Sequence, residues 1–212
     1  MMHISKDKIQ NATHKYRLNL INSISGIKPA NLIGTCAQSS GNNLAIISSV
    51  VHIGSNPPLL GFIMRPTQEV RRDTYANIME NGCFTINHIH ENLIERGHYT
   101  SVKFPSEVSE FDACNIEHEF LNDFPAPFVK ESLLKISLRH VETVDIKYNQ
   151  TLMIIGEVQD IYVPEGNLDD RGYLNLGEMG NVGIGGLNIY YSIKKIAEHP
   201  YARLSELPCF DQ

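Results

Sequence analysis

The chain has 212 residues, 42% of them hydrophobic, and a formal net charge of −6 at pH 7. These values exclude a disordered chain and are typical of a single folded domain with its own core, which we expect to span residues 1–212. The acidic balance argues against nucleic-acid binding, which depends on Lys and Arg contacts to phosphate. No apolar run approaches the ~18 residues that a membrane-spanning helix needs, so we expect no membrane contact.

The cysteines and the first residues indicate the compartment. Cys36, Cys83, Cys114 and Cys209 are far apart and form no CxxC pair, so neither a structural zinc site nor a redox CxxC motif is expected. The opening residues MMHISKDKIQ lack the apolar core of a secretory signal. We therefore expect reduced thiols and a cytoplasmic protein.

Two helices are predicted in the first half of the chain. Apolar residues recur at helical spacing from Asp7 to Ile24, which predicts one helix there. A second helix is predicted to begin near Thr67, whose hydroxyl suits the N-cap position after Pro66. Asn81-Gly82 is expected to end this second helix, because Gly adopts the positive φ of a helix C-terminus.

The remaining pattern is mostly strand. β-rich runs alternate with turn residues such as QSSGNN (38–43) and Ser55-Asn56-Pro57-Pro58. The predicted strands are 31–36, 44–53, 59–64, 83–89, 132–146 and 151–163. With few helices and no regular strand–helix alternation, an antiparallel barrel or sandwich is favoured over a doubly wound parallel sheet.

Two segments are expected to lack long regular elements. The stretch from Glu91 to Asp123 holds eight acidic and two basic residues, which is the whole charge surplus, and it is predicted to form short helices and loops. It is interpreted as a solvated surface, with partner docking as the alternative. Residues 164–186 are rich in glycine and are predicted to be a loop.

Several common site patterns are absent or incomplete. The cluster from Gly183 to Asn188 lacks the last glycine of GxGxxG and the flanking strand and helix of a dinucleotide fold, so it is interpreted as a turned loop. Neither GxxxxGK[ST] nor GxSxG occurs. His88 and His90 share one strand face and would need a third ligand to bind a metal. Ordinary strand-end histidines are favoured, so no metal site is predicted.

Polar residues at the ends of apolar strands are more informative. Ser48 and Ser49 lie within an apolar run, where their hydroxyls either bond backbone or meet a polar ligand. Residues 65–72 hold three Arg and one Glu beside the expected helix start. A phosphate group would find charged forks, hydroxyls and free helix N–H groups there. A solvated basic face, paired to Glu69 and Asp73, is the equally supported alternative.

Two runs carry a family resemblance. NLAIISSVVHIGSNPPLLGFIMRP (43–66) and RRDTYANIMENGCFTINHI (71–89) resemble the flavin reductase-like FMN-binding split-barrel family. The resemblance is close over about 28–90 and looser through the two long strands and GGLNIYY (185–191). It implies a six-stranded antiparallel split β-barrel with Greek-key topology and a few peripheral helices, with 91–123 as a lid or insertion.

The resemblance also implies a site and an assembly. Ser48, Ser49 and Val50 would lie along the ribityl chain and ring of FMN. His52 and Tyr190 are candidates to line the ring, and Asn87 is a further cofactor contact. The implied phosphate-binding residues are Arg65, Thr67, Arg71, Arg72 and Thr74. A homodimer with FMN near the subunit interface is implied, with a redox partner protein as an open possibility.

The implied activity is an NAD(P)H-dependent flavin reductase, with FMN as cofactor or substrate and NADH or NADPH as co-substrate. The flavin carries this chemistry, so no catalytic side chain is assigned. Two alternatives stay open. One is a flavoredoxin-like electron carrier without nicotinamide turnover. The other is a split-barrel binder of another small molecule, such as pyridoxal phosphate or haem.

Overall fold

The computed structural model describes residues 1–38, 41–68 and 70–210. Its helices are α1 (Lys6–Asn11), α2 (His14–Ile24), α3 (Asp73–Asn81), α4 (Ile94–Tyr99) and α5 (Glu110–Ala113). Its strands are β1 (Lys28–Pro29), β2 (Asn31–Ala37), β3 (Gly41–Ile47), β4 (Val51–Ser55), β5 (Pro58–Met64), β6 (Cys83–His88), β7 (His118–Glu119), β8 (Phe128–Val129), β9 (Lys135–Ile146), β10 (Thr151–Tyr162), β11 (Val182–Gly185) and β12 (Ile189–Ser192).

The main sheet is antiparallel and runs in the order β3-β2-β6-β9-β10-β5-β4. The predicted mainly β fold class is confirmed, as are the hairpin of β2 with β3 and the pairing of the two long strands β9 and β10. The run predicted as one strand over 44–53 forms two strands, β3 and β4. These lie at opposite edges of the sheet, so the six predicted strands become seven.

The chain crosses between the two sheet edges within three residues, from Ser48 to Val50. Ser49 fixes this crossing, because its Oγ accepts a hydrogen bond from Ile63 N (3.0 Å) and donates one to Ile63 O (3.3 Å). Val50 packs against the barrel core. The side chain of Ser49 thereby replaces the strand ladder at the point where β3 ends and β4 begins, which closes the sheet into a split barrel.

The barrel interior is filled by alternating side chains from facing strands. Ile33 and Ile86 are paired across β2 and β6 and are fully buried. Phe62 and Phe84 meet edge to face, with ring centroids 5.6 Å apart. Burying each such aliphatic or aromatic side chain contributes about 1.5–3 kcal/mol. This cluster contributes to the stability of the barrel and holds the strand ends that border the crossing.

The edge strand β3 is covered by the acidic segment. Leu44 N donates to Glu110 Oε2 (2.9 Å), and Ile46 N donates to Thr100 Oγ1 (3.0 Å). These N–H groups point away from β2, and an uncovered edge would leave them open to pairing with another chain. The segment predicted as short helices and loops therefore caps a strand edge.

The two predicted helices differ from the helices in the structure. The single helix over 7–24 is divided into α1 and α2, because Thr13 caps a new helix by accepting from Tyr16 N. The helix predicted from Thr67 begins at Asp73, with Arg72 at the N-cap and no side-chain cap. Its predicted end is confirmed, since Gly82 adopts a φ of +68°.

The loop predicted over 164–186 contains a strand. β11 pairs with β1 and with β12 to form a small second sheet. A side chain at Gly183 would collide with Ile27, and one at Gly185 would lie 2.8 Å from the Tyr191 ring. These glycines therefore permit close packing of a strand, rather than the loop conformation expected from their number.

The first prediction concerns the barrel crossing. Replacing Ser49 with Ala should lower the free energy of unfolding by about 1–3 kcal/mol, because two backbone groups of Ile63 lose their partner. Ser48→Ala is the matched control, since Ser48 has no hydrogen-bond partner among the described residues. Its stability should stay within about 0.5 kcal/mol of the wild type. Urea denaturation of both variants measures this, and equal losses would contradict the bridging role.

His88 should make the free energy of unfolding depend on pH. Burial lowers the pKa of His88 to about 4, whereas an unfolded histidine titrates near 6.5. Below pH 6.5 the unfolded chain binds a proton that the folded chain does not. The free energy of unfolding should therefore fall by about 2–3 kcal/mol between pH 7 and pH 4.5 through this group. His88→Gln should lack this part of the loss in urea denaturation, while exposed His52→Gln should retain it. If the free energy of unfolding of the wild type, His88→Gln and His52→Gln fell in parallel with pH, the assignment of this loss to His88 would be refuted.

Candidate functional site

A cavity of about 710 Å³ lies beside the barrel crossing, within the usual range of ligand pockets. The barrel side is formed by β3, the crossing and the end of β5, and the outer side by the acidic segment, α2 and the turn between β11 and β12. Residues on the barrel side include Asn43, Ala45, Ile47, Ser48, Ser49, Ile63 and Arg65; those on the outer side include Leu18, Asn22, His98, Thr100, Lys103, Phe104, Glu110, Leu187 and Asn188.

The hydroxyl pair divides into two roles. Ser49 bonds the Ile63 backbone, which is the backbone interpretation of the sequence. Ser48 is half-buried, lines the cavity and has no hydrogen-bond partner within the described part of the chain. Its hydroxyl is therefore the one that can meet a ligand. Val50 follows them but packs into the barrel core and is not among the residues that line the cavity.

Three arginines border one end of the cavity, in different states. Arg71 Nε is 2.7 Å from Asp73 Oδ1, so its charge is compensated as the solvated-face interpretation expects. Arg72 Nε donates to Pro66 O (3.3 Å). Arg65 is exposed and forms no ion pair with any residue of 1–38, 41–68 or 70–210. Glu69, the other expected partner, lies outside the described residues.

The later start of α3 changes which hydroxyl reaches this end. Thr67 lies six residues before the helix, so the predicted N-cap at Thr67 is wrong. Thr67 is also not among the cavity-lining residues, so the structure does not bring it to the predicted phosphate contact. Thr74, the second residue of α3, does border the cavity, although it is only 6% exposed. Arg65, Arg72 and Thr74 thus form the polar end that the structure assembles.

Asn87 is held in the core. Its Nδ2 donates to Leu32 O (3.2 Å) and to Thr85 Oγ1 (2.9 Å), and its Oδ1 accepts from Val129 N (2.9 Å). The side chain is fully buried and links β8, through Val129, to β2 and β6. Asn87 is not among the cavity-lining residues, so the structure does not bring it to the place where the resemblance implies a cofactor contact.

The acidic segment supplies residues that the sequence did not single out. Glu110 borders the cavity, and burial raises the pKa of its carboxyl group, the largest of several effects. Lys103 and Phe104 line the same wall. No local motif marks these positions, because they reach the cavity through the hydrogen bonds of Glu110 and Thr100 to β3. Their only signal was the position of the segment as a lid in the resemblance.

The two ring candidates lie outside the lining. His52 is exposed on β4, with Nε2 3.1 Å from Ser55 Oγ. Tyr190 stands behind His98, which does line the cavity, with Tyr190 Oη 3.0 Å from His98 Nδ1. Burial raises the pKa of Tyr190 to about 12, so this hydroxyl stays protonated and fixes the His98 ring. His98 and Phe104 are ring-bearing residues of the cavity lining that sequence reasoning missed.

The described residues contain neither a cluster of metal ligands nor a helix of membrane-spanning character. No group of three or more His, Cys, Asp or Glu side chains is placed to hold a metal ion in 1–38, 41–68 and 70–210. His90, one of the two strand-end histidines, lies with Nε2 3.0 Å from Glu131 O. In the same ranges no helix combines the length and hydropathy of a membrane span.

Comparisons with known proteins agree with this architecture. A solved structure of a candidate flavin reductase with a split barrel domain, from Shewanella frigidimarina NCIMB 400, is 44% identical. It covers 95% of this chain and 100% of its own, with a TM-score of 0.91. Nitrilotriacetate monooxygenase component B from Bacillus cereus is 18% identical, with coverages of 94% and 98% and a TM-score of 0.82.

Flavoredoxin of Desulfovibrio vulgaris (Miyazaki F) is 21% identical, with coverages of 84% and 92% and a TM-score of 0.71. At such identities, the last two proteins show that the fold is shared. The model of the flavin reductase like domain matches residues 26–180, well over half of the chain. This match supports flavin binding and a flavin-related oxidoreductase. The chain therefore belongs to the flavin reductase-like family of split-barrel proteins.

Proposed function

We propose that the protein is an FMN-dependent oxidoreductase that takes hydride from NADH or NADPH. The observation that carries the proposal is the cavity at the barrel crossing. It brings together on one continuous surface the charge of Arg65, which has no ion-pair partner among the described residues, and the hydroxyls of Thr74 and Ser48. A flavin phosphate needs charged and hydroxyl donors, and a ribityl chain needs further polar contacts along its length. The donor set fits this group.

The proposed residue roles follow from their states in the structure. Arg65 and Arg72 would bind the phosphate, together with the hydroxyl of Thr74. Ser48 would donate to the ribityl or ring edge, and Ser49 would hold that position by its bonds to Ile63. Arg71 contributes less, because Asp73 already compensates its charge. Thr67, Val50 and Asn87 are left out of the proposed contacts.

The bound flavin would supply the chemistry, accepting a hydride from nicotinamide and passing electrons to an acceptor. The protein binds and orients the two rings and limits water at the reacting face. Apolar side chains on both sides of the cavity serve this purpose, among them Ile47, Phe104 and Leu187. No side chain has to donate or take a proton in the hydride step, so none is assigned as acid or base.

A homodimer is part of the proposal. α2 has eleven residues and none of them is buried, and it exposes Tyr16, Ile21 and Ile24. A helix of this length is marginal in water without packing. A second copy of the chain covering this face would stabilise α2, whose Leu18 and Asn22 line the cavity, and would place the flavin near the interface.

The function is tested by flavin titration followed by reduction. We expect FMN to bind at micromolar concentration with quenching of its fluorescence, and riboflavin, which lacks the phosphate, to bind at least about tenfold more weakly. Anaerobic addition of NADH or NADPH to the FMN complex should then bleach the yellow colour within minutes.

The outcomes separate the candidate functions. Lack of FMN binding would refute the proposal and direct attention to pyridoxal phosphate or haem as ligands. FMN binding without bleaching by either nicotinamide would instead support an electron carrier of the flavoredoxin type. Equal affinities for FMN and riboflavin would contradict the assigned phosphate end.

Arg65→Ala gives a separate prediction for the phosphate end. Removing this cation should raise the FMN Kd by about 10- to 100-fold, since hydrogen bonds to charged groups contribute about 1.5–3 kcal/mol. The riboflavin Kd should stay within about twofold. Arg203→Ala, in the exposed C-terminal tail, is the matched control and should change neither affinity. A parallel loss of FMN and riboflavin binding in Arg65→Ala would show that Arg65 acts elsewhere than at the phosphate.

A further inference from the structure

A buried polar network lies directly behind Thr74. Asn43 on β3 is paired with Thr35 on β2, so the two side chains share the face on which α3 packs. Asn43 Nδ2 donates to Thr35 Oγ1 (3.2 Å) and to Thr74 Oγ1 (3.1 Å). Asn77, one turn further along α3, donates to the same Thr35 oxygen (3.3 Å). All four side chains are at most 8% exposed, yet Asn43 and Thr74 border the cavity.

The hydrogen bonds of this network leave the hydroxyl proton of Thr74 free to point away from Asn43. An amide nitrogen has two hydrogens and cannot accept, so Asn43 Nδ2 spends one hydrogen on each threonine. Thr74 Oγ1 is therefore an acceptor toward Asn43, and its own proton points elsewhere. A threonine inside a helix often donates to the carbonyl four residues earlier. Thr74 is only the second residue of α3. The carbonyl four residues earlier therefore lies before Asp73, outside the helix, and is not held in the position of a helical acceptor.

We infer that Asn43 is a positioning residue for the anion end of the cavity. By occupying the acceptor side of Thr74 Oγ1, Asn43 directs the Thr74 proton into the cavity, where it can donate to a phosphate oxygen. A hydroxyl donor that is already oriented loses less rotational freedom when the ligand binds. Asn43 itself need not touch the phosphate. This inference rests on the proposed function and assigns it a residue that neither motif nor resemblance identified.

The network explains why a buried amide is placed at a cavity wall. A purely structural link between β3 and α3 could be made by apolar side chains, which avoid the cost of burying polar groups. Here both hydrogens of the Asn43 amide nitrogen are donated to threonine hydroxyls, and one of those hydroxyls, that of Thr74, borders the cavity. The arrangement therefore controls hydroxyl direction as well as helix position.

The test measures the ratio of riboflavin Kd to FMN Kd, which isolates the contribution of the phosphate. In Asn43→Ala this ratio should fall by about tenfold, the low end for one hydrogen bond to a charged group. Thr74→Val, which removes the hydroxyl at similar volume, should lower the ratio at least as much. In the double variant the ratio should fall no further than in Thr74→Val alone, because residues that act through one contact are not additive.

Controls keep the inference separable from stability and from the proposed function. If Asn43→Ala folds poorly, Asn43→Ser is the second variant. The shorter serine side chain cannot reach both hydroxyls, so the ratio of riboflavin Kd to FMN Kd should fall in this variant as well. Asn81→Ala is the matched control. Asn81 also links α3 to β2, through Cys36 O, but it is not among the cavity-lining residues, so its ratio should equal that of the wild type.

Two results would overturn the inference while leaving the function intact. One is an equal weakening of FMN and riboflavin in Asn43→Ala, which would mean a structural role only. The other is an additive loss in the double variant, which would mean that Asn43 acts independently of Thr74. If the wild type binds neither flavin, the proposed function fails and the inference fails with it.

Discussion

The passage of the chain from one sheet edge to the other is the constraint on which the rest of the molecule depends. β3 and β4 are at opposite edges of the main sheet, yet only Ser48, Ser49 and Val50 separate them. The two bonds between Ser49 and the Ile63 backbone hold this crossing without a continuous ladder. A closed barrel would fill this point with strand pairing. The split leaves a place where Ser48 and the end of β5 face open space, and the cavity forms there.

The free edge of β3 determines what forms the opposite wall. The N–H groups of Leu44 and Ile46 need partners, and Glu110 and Thr100 supply them. These two hydrogen bonds hold the acidic segment over the cavity, although we propose that the polar end of that cavity binds an anion. Burial raises the pKa of Glu110, yet its bond from Leu44 N favours the ionised form. Asp73 in turn compensates Arg71. At the proposed phosphate end, anion affinity would then depend on Arg65, Arg72 and the Thr74 hydroxyl.

The elements that could be predicted from the sequence are those fixed by neighbours along the chain. Alternating apolar residues and turn residues located the hairpin of β2 with β3 and the long pair β9 and β10, and Gly82 located the end of α3. The features that were missed depend on distant contacts. α3 begins at Asp73, where Thr74 and Asn77 join the network around Thr35, and not at Thr67. β11 exists because β1 and β12 pair with it. Glu110 is held at the cavity by its bond from β3 and His98 by its bond with Tyr190, which are contacts distant in sequence.

The two walls of the cavity differ in how firmly they are held, and this bears on ligand exchange. The barrel wall belongs to the main sheet and its buried core. The outer wall includes α2, which buries no residue, and the turn between β11 and β12, where Leu187 is only half-buried. Segments with few buried apolar contacts open at lower free energy than core strands. A flavin bound as proposed would therefore keep the proposed phosphate contacts to Arg65 and Thr74 while the outer wall opens, so a second substrate could enter without displacing it. A second copy of the chain that covers α2 would therefore limit access to the cavity as well as stabilise the helix.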